Sequence, residues 1–176
     1  MENKIEFYSP KSPYYEFSNF YTKKPIDIDN YLWLNVEHYF QAQKFIDYPE
    51  YYAIIQSCDS PQKFKNLGCQ KKTQFSGKWL VNKKTDKRLL NDIVDQYKHL
   101  KIREDWDQVR DSIMKKALHA KFTQDQTLKT LLLETGDSEI IEASPRDSYW
   151  GYGPNKNGLN KLGKLLMEIR QSLELV

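Results

Sequence analysis

The chain has 176 residues, of which 39% are hydrophobic and 14% aromatic, and a formal net charge of +3 at pH 7. A chain of this length buries enough apolar surface to fold without a metal ion or a disulfide. The balance of 27 basic and 24 acidic side chains argues against a dedicated nucleic-acid binding protein, although it suits a phosphorylated ligand or a nucleic-acid end. The composition therefore predicts one globular domain spanning residues 1–176.

Several other classes of protein are excluded by missing motifs. Cys58 and Cys69 do not have the spacing of a zinc site, and the chain contains no P-loop and no dinucleotide fingerprint. The first residues do not read as a signal peptide, and no apolar run approaches the roughly 20 residues that cross a membrane. We therefore expect a cytoplasmic protein with no metal, no other cofactor and no membrane association.

The N-terminal third alternates between strand and helix patterns. Lys4–Tyr8 reads as a short strand, and Ile26–Trp33 reads as two strands joined by an Asp-Asn turn. The pattern becomes helical from Val36 to Phe45. A second helix is predicted near Tyr51–Ile55, and a third begins at Ser60-Pro61, where proline suits the first helical turn.

The remainder of the chain is predicted to be mostly helical. The predicted elements, in order, are a helix over Leu89–Leu100, a helix over Asp105–Lys121, a helix capped by Thr123 with Gln126 and stopped at Gly136, a strand over Glu139–Ala143, and a final helix with an apolar face from Leu159 to Leu173. Together the elements predict a predominantly helical α+β domain with a small N-terminal antiparallel sheet.

The Val36–Phe45 helix carries the first candidate site. At 100° per residue, Glu37, Gln41 and Lys44 fall within an arc of about 60°, while apolar side chains cover most of the remaining surface. This polar stripe has two structural explanations, a buried ion pair between Glu37 and Lys44 or a face turned to water. Its functional explanation is the wall of a pocket, with Glu37 as a perturbed carboxylate and Lys44 holding an anion.

Two further clusters contain residues suited to ligand binding. The glycine-rich loop from Asp147 to Asn160 leads into the last helix, whose N-terminus could bind phosphate while Trp150 stacks on a base. The alternative for this loop is an ordinary turn around a core tryptophan. Near the N-terminus, Ser18 and Asn19 could bind sugar hydroxyls or phosphate, or they could cap a local turn.

Taken together, these clusters resemble the YbiA-like family, also called NADAR. The resemblance preserves the order of the family's motifs from about Phe7 to Arg170, nearly the whole chain. The matching segments are Ser18-Asn19-Phe20, Glu37 to Lys44, Asp105-Trp106, Asp147 to Gly151, Gly158 to Gly163 and Leu166 to Arg170. One departure is a segment at about residues 69–104 that is longer than the family pattern, and it leaves the choice of substrate open.

The resemblance implies an N-glycosidase that cleaves the bond between ribose C1′ and a nitrogen. Known substrates in the family are ribosylamino-pyrimidine phosphate intermediates of riboflavin biosynthesis and ADP-ribosylated guanine in nucleic acid, and some members are paired genomically with an ADP-ribosylating toxin. A non-catalytic module that binds ADP-ribose or a nucleotide is the alternative from another class.

The resemblance also implies roles for individual residues. We expect Glu37 to be the leading catalytic carboxylate and Asp147 to bind ribose hydroxyls or share the proton transfer, although these two roles could be exchanged. Lys44 would hold phosphate or lower the pKa of Glu37. The expected substrate-binding residues are Ser18, Asn19, Phe20, Gln41, Trp106, Trp150, Gly151, Gly158 and Asn160.

Overall fold

The computed structural model describes residues 3–72 and 83–175, with side chains after the gap described from residue 87 onward. The segment Phe75–Trp79, part of the longer segment identified in the sequence, lies outside the described residues. The described elements are β1 (Lys4–Phe7), a 3₁₀ turn (Tyr15–Phe17), β2 (Ile26–Ile28), β3 (Tyr31–Trp33), α1 (Val36–Gln43), α2 (Pro49–Gln56), α3 (Pro61–Gly68), α4 (Lys83–Tyr97), α5 (Trp106–Gln124), α6 (Gln126–Leu133), β4 (Glu139–Glu142) and α7 (Lys161–Glu174).

Helix α1 lies at the centre of the fold, packed against α2, α3 and α5. All eight of its residues are buried. The helix begins at Val36 because the Asn35 side chain accepts a hydrogen bond from the His38 N–H at 2.9 Å. The Asn19 carbonyl accepts the N–H of Glu37 at 3.1 Å, which satisfies another unpaired group of the first turn and ties the Ser18–Phe20 segment to α1.

The α+β class, dominated by helices, and its small antiparallel sheet are confirmed, although this sheet follows the first strand and is not at the very N-terminus. The antiparallel pair is the β2–β3 hairpin, whose turn residues Asp29 and Asn30 have φ angles of 58° and 59°, as a type I′ turn requires. Strand β1 does not join this hairpin. It pairs in parallel with β4, from Lys4 opposite Glu139 to Phe7 opposite Glu142, because the chain returns through the helices before β4 packs on α7.

The cap predicted for α6 is also wrong. Thr123 lies inside α5, where its hydroxyl donates to the His119 carbonyl at 2.7 Å. The cap is Asp125, whose carboxylate accepts the Leu128 N–H at 2.9 Å. Asp125 has the extended backbone of an N-cap residue, and its side chain also pairs with Lys24, so it separates α5 from α6 more effectively than a threonine would.

Candidate active site

The polar stripe on α1 is a continuous hydrogen-bonded chain. Gln41 Nε2 donates to Glu37 Oε1 at 2.6 Å, and Lys44 Nζ donates to Gln41 Oε1 at 2.8 Å. The amide therefore sits between the carboxylate and the ammonium, which replaces the direct ion pair considered from the sequence. The stripe does not face water, because Glu37 is only 9% exposed and Gln41 only 4%.

Burial and neighbouring charges set the ionisation of this chain. Burial raises the pKa of Glu37, an effect opposed by the Gln41 hydrogen bond and by the charges of Lys44 and Lys65, and reinforced by the charge of Asp147. Burial lowers the pKa of Lys44, and the negative charge of Glu37 partly restores it. A carboxylate with a raised pKa is a stronger base, when ionised, than an ordinary glutamate.

Helix α3 fixes the position of Gln41. An added Cβ on Gly68 would lie 2.6 Å from Gln41 Cβ and 2.8 Å from Gln41 Cδ, so no side chain fits there. The Gly68 carbonyl also accepts a hydrogen bond from Lys44 Nζ at 3.4 Å. The close approach of α3 to α1 therefore holds the amide that links Glu37 to Lys44.

The loop that follows β4 brings Asp147 to the other side of the site. Asp147 Oδ1 accepts the N–H groups of Tyr149 and Trp150 at 2.9 and 2.8 Å, so this carboxylate shapes the turn that carries Trp150. The Trp150 ring meets the Phe40 ring edge to face, with centroids 5.5 Å apart. This contact joins the loop to α1, and it agrees with the effect of the Asp147 charge on Glu37.

Aromatic rings and two lysines complete the wall around the carboxylates. Phe40 lies 4.9 Å from Trp106 between ring centroids, and Lys44 Nζ lies 5.7 Å from the Trp106 centroid. On the opposite side, Lys65 Nζ lies 4.9 Å from the centre of the Phe20 ring. Lys65 is exposed, so its ammonium is available to an anion, whereas Lys44 is mostly enclosed by protein groups.

Glu142, at the end of β4, is a third carboxylate of the site and was not identified from the sequence. Its Oε2 atom is buried and has no hydrogen-bond partner in the described part of the chain. Burial, together with the charges of Asp147 and Glu37, raises the pKa of Glu142 to about 8. The sequence signal was a single glutamate at the end of an apolar strand, five residues before Asp147.

The predicted residues Gly151, Gly158 and Asn160 have packing roles in the loop. Asn160 is 3% exposed, and its amide accepts from the Glu142 N–H at 3.0 Å and donates to the Ile140 carbonyl at 2.9 Å. An added Cβ on Gly151 would lie 2.6 Å from the Glu142 carbonyl, and one on Gly158 would lie 2.8 Å from the Ser148 carbonyl. These three residues therefore hold the end of β4 against the loop.

The start of α7 does not fit the phosphate-binding role expected for it. Its Lys161 and Leu162 N–H groups donate to the carbonyls of Tyr149 and Trp150 at 3.1 and 3.0 Å. Two of the N–H groups that could bind phosphate are therefore already paired inside the loop. The helix N-terminus anchors the loop that carries Asp147 and Trp150.

Ser18 also supports the backbone, whereas Asn19 keeps an unpaired atom beside the site. The Ser18 hydroxyl accepts the Phe20 N–H at 3.2 Å, and the Ser18 carbonyl accepts the buried Lys121 ammonium at 2.8 Å. Asn19 is 7% exposed, and its Oδ1 atom has no partner in the described residues. Asn19 Oδ1 and Glu142 Oε2 are thus two buried oxygen atoms without a partner among residues 3–72 and 83–175.

A large groove elsewhere on the surface does not compete with this site chemically. It has a volume of about 790 Å³ and is lined by Tyr14, Tyr21 and Leu131 among others. Its charged residues include Lys24 and Asp125, which form an ion pair at 2.6 Å and so neutralise each other. The carboxylates with raised pKa values lie instead around α1 and the loop after β4.

Two absences concern only the part of the chain that the structure describes. Within residues 3–72 and 83–175, no helix is long and apolar enough to span a membrane. Within the same residues, no three His, Cys, Asp or Glu side chains are arranged to hold a metal ion.

Fold and site together define a member of the NADAR family. The NADAR domain model matches residues 6–174, and the chain belongs to this family. It is similar to the Escherichia coli protein named N-glycosidase YbiA, with 37% identity over 171 residues that cover 97% of this chain and 89% of that protein.

A solved structure and a second kind of relative extend the comparison. The NMR structure of Escherichia coli YbiA matches with a TM-score of 0.76 and 34% identity, covering 99% of this chain and 87% of that one. A protein from Vibrio vulnificus named as a riboflavin biosynthesis protein is 31% identical over 174 residues. That match covers 99% of this chain but only 40% of the Vibrio protein.

Proposed function

We propose that this protein is an N-glycosidase that hydrolyses a bond between ribose C1′ and a nitrogen atom. The observation that carries the proposal is the buried Glu37 carboxylate, which faces the loop of Asp147 and has a raised pKa. The similarity to a full-length relative named N-glycosidase supports the same class of reaction. The experiment that tests the proposal replaces the Glu37 and Asp147 carboxylates with amides and measures the loss of hydrolysis.

The reaction requires groups that stabilise positive charge on the ribose and that activate water. Cleavage of an N-ribosyl bond gives C1′ oxocarbenium character, which a nearby carboxylate stabilises. Glu37 removes a proton from the attacking water, and the Gln41 hydrogen bond to Oε1 orients its carboxylate. Asp147 contacts the ribose hydroxyls through Oδ2, because its Oδ1 is occupied by the turn.

The surroundings of the carboxylates suit a phosphorylated ribosyl substrate. Lys65 is the ammonium that receives phosphate, since it is exposed and lies over Phe20 at 4.9 Å. Lys44 does not hold phosphate but lowers the pKa of Glu37, because its charge lies within the protein near that carboxylate. Trp106 and Trp150 flank Phe40 and offer ring faces and edges to the base.

Two substrates share this chemistry, since each joins ribose C1′ to an amino nitrogen on a flat heterocycle. The first is a ribosylamino-pyrimidine phosphate of riboflavin biosynthesis, supported by the Vibrio vulnificus relative whose name refers to that pathway. The second is guanine modified by ADP-ribose, which follows from the family resemblance. Incubation with each compound and mass spectrometry of the products distinguishes them, because the released sugar is ribose phosphate in one case and ADP-ribose in the other.

The test of the catalytic groups uses two isosteric variants and one control. Glu37→Gln and Asp147→Asn keep side-chain size but remove a carboxylate, and Asp137→Asn makes the same change at an exposed turn. We expect turnover to fall roughly 10²–10⁴-fold in Glu37→Gln or Asp147→Asn and to stay unchanged in the control. Wild-type turnover in both site variants, with circular dichroism showing that they fold, would contradict the assignment.

A non-catalytic module that binds ADP-ribose or a nucleotide is the competing interpretation. Such a module would bind ADP-ribose in calorimetry but release no base from either substrate. Turnover of either substrate by the wild-type protein excludes this interpretation. If the protein binds ADP-ribose but hydrolyses neither compound, the binding module replaces the N-glycosidase proposal.

A further inference from the structure

We propose that Glu142 is the proton donor to the leaving nitrogen. The proposal rests on the N-glycosidase function proposed above and assigns a third group in the same site. The α1 motif does not supply the proton for the leaving nitrogen, because Glu37 accepts a proton from the attacking water. The reaction needs a proton donor, since an amine cannot leave as its anion at neutral pH.

The position of Glu142 supports this role. Its strand ends where the Asp147 loop begins, and the Tyr152 N–H donates to the Glu142 carbonyl at 2.9 Å while the Glu142 N–H donates to Asn160 at 3.0 Å. The backbone is therefore fixed on both sides. These contacts place Glu142 against the loop that carries Asp147, and the charges of Asp147 and Glu37 act on its ionisation.

The unpaired Oε2 atom indicates what is missing from the site. A buried polar atom without a partner is costly, and Glu142 Oε2 has none within the described part of the chain. Asn19, whose backbone carbonyl accepts the Glu37 N–H at 3.1 Å, has a second buried oxygen, Oδ1, with no partner in the residues described. An amino nitrogen on the substrate would provide a hydrogen-bond partner for Glu142 Oε2.

The surroundings of Glu142 favour its protonated form. Burial is the main cause, and the negative charges of Asp147 and Glu37 act in the same direction. Glu37 is subject to the opposing effects of Gln41, Lys44 and Lys65, none of which contributes to Glu142. The pKa of both glutamates is raised by burial, and these three contacts favour the ionised form of Glu37, as a base requires.

The proton balance of the step is closed. Glu142 transfers its proton to the leaving nitrogen as the C1′–N bond breaks, and the bonding electron pair goes to that nitrogen. Water adds to C1′, and its proton goes to Glu37. The products are the free amine and the ribose with a C1′ hydroxyl, and solvent returns the proton from Glu37 to Glu142.

The experiment compares Glu142→Gln with wild type on two leaving groups. The amine substrate is whichever ribosylamine the wild-type protein hydrolyses, and the second is 4-nitrophenyl ribofuranoside 5-phosphate, whose phenolate leaves without protonation. We expect kcat/KM to fall roughly 10²–10⁴-fold on the amine and to stay within about tenfold of wild type on the aryl probe. Glu139→Gln, on the same strand but at the surface beside Lys4, is the matched control and stays at wild-type rate on both.

The pH profile provides a second readout on the amine substrate alone. Wild-type kcat/KM falls as the pH rises above about 8, where Glu142 loses its proton, and the fall is absent in Glu142→Gln. The proposal is overturned if the variant keeps wild-type kcat/KM on the amine, loses activity equally on both leaving groups, or retains the alkaline fall. If wild type does not hydrolyse the aryl probe, the pH profile decides. If wild type hydrolyses no ribosylamine, the proposed function itself fails, which is a separate outcome.

Discussion

Gly68→Ala tests whether the contact between α3 and α1 holds the hydrogen-bonded chain of Glu37, Gln41 and Lys44 together. The new Cβ would lie 2.6 Å from Gln41 Cβ and 2.8 Å from Gln41 Cδ. Because both atoms belong to a helix whose residues are all buried, Gln41 can move only by leaving the Glu37 carboxylate. The substitution therefore affects both stability and the site.

Two opposing effects decide the sign of the stability change. Replacing a helical glycine with alanine stabilises a protein by about 0.5–1 kcal/mol, and Gly68 is the last residue of α3. Overpacking a buried contact costs about 1–3 kcal/mol. The clash is the larger effect, so we expect Gly68→Ala to lower the free energy of unfolding by roughly 1–2 kcal/mol and to reduce turnover.

The control makes Gly68→Ala in a variant that has glycine at position 41 instead of glutamine. In a Gln41→Gly background the clashing atoms are absent, so Gly68→Ala should stabilise by about 0.5–1 kcal/mol. Urea denaturation at pH 7 of wild type, both single variants and the double variant gives the cycle. The same sign and size of the Gly68→Ala effect in both backgrounds would show that the contact with Gln41 is not what excludes a side chain.

Three further predictions concern ionisable groups. The pKa of Glu142 is raised to about 8 from 4.5, so its contribution to stability is full below pH 4.5 and is lost as the pH rises toward 8. Glu142→Gln should thus match wild type in urea denaturation at pH 4 and exceed it by roughly 2–4 kcal/mol at pH 8.5, and equal stability at both pH values would contradict a buried neutral acid. Burial lowers the pKa of His38 below 6.5, so its contribution is full above pH 6.5 and is lost as the pH falls. His38→Gln should therefore flatten the loss of stability between pH 6.5 and 5, and an unchanged slope would count against this reasoning. Lys44→Met removes a charge that lowers the pKa of Glu37, so the acid limb of the kcat/KM profile should move to higher pH, whereas a shift to lower pH would show that Lys44 does not act on Glu37.

The sequence predicted the parts of the site that lie on one element. The period of 3.6 residues places Glu37, Gln41 and Lys44 on one stripe, and the structure joins them in one chain of hydrogen bonds. Periodicity could not establish the order of the contacts. It gave an ion pair or an exposed face as alternatives, whereas packing by α3 inserted the Gln41 amide between the two charged groups.

The residues that sequence reasoning missed depend on contacts between distant segments. Glu142 becomes part of the site because β4 pairs with β1 and its end is held by Asn160, and a four-residue strand carries no periodic signal of such a position. Lys65 and Gly68 lie one helical turn apart on α3, which the sequence predicted only from its start. A glycine within a helix can indicate close packing, and that was the available signal for Gly68.

The loop after β4 shows why a motif alone does not assign roles. Glycines and a helix N-terminus are typical of phosphate sites, and the sequence has both between Asp147 and Lys161. In the structure the loop carbonyls accept the first N–H groups of α7. The same residues therefore anchor Asp147 and Trp150, and this outcome depends on the path of the loop rather than on its composition.

The most direct test of the proposed function measures release of free base by mass spectrometry. Wild type and Glu37→Gln are each incubated with a ribosylamino-pyrimidine phosphate and with ADP-ribosylated guanine. We expect wild type to release base and the matching free sugar from one of them, and Glu37→Gln to release base roughly 10²–10⁴-fold more slowly. Equal rates for the two proteins, or no base released by wild type from either compound, would contradict this expectation.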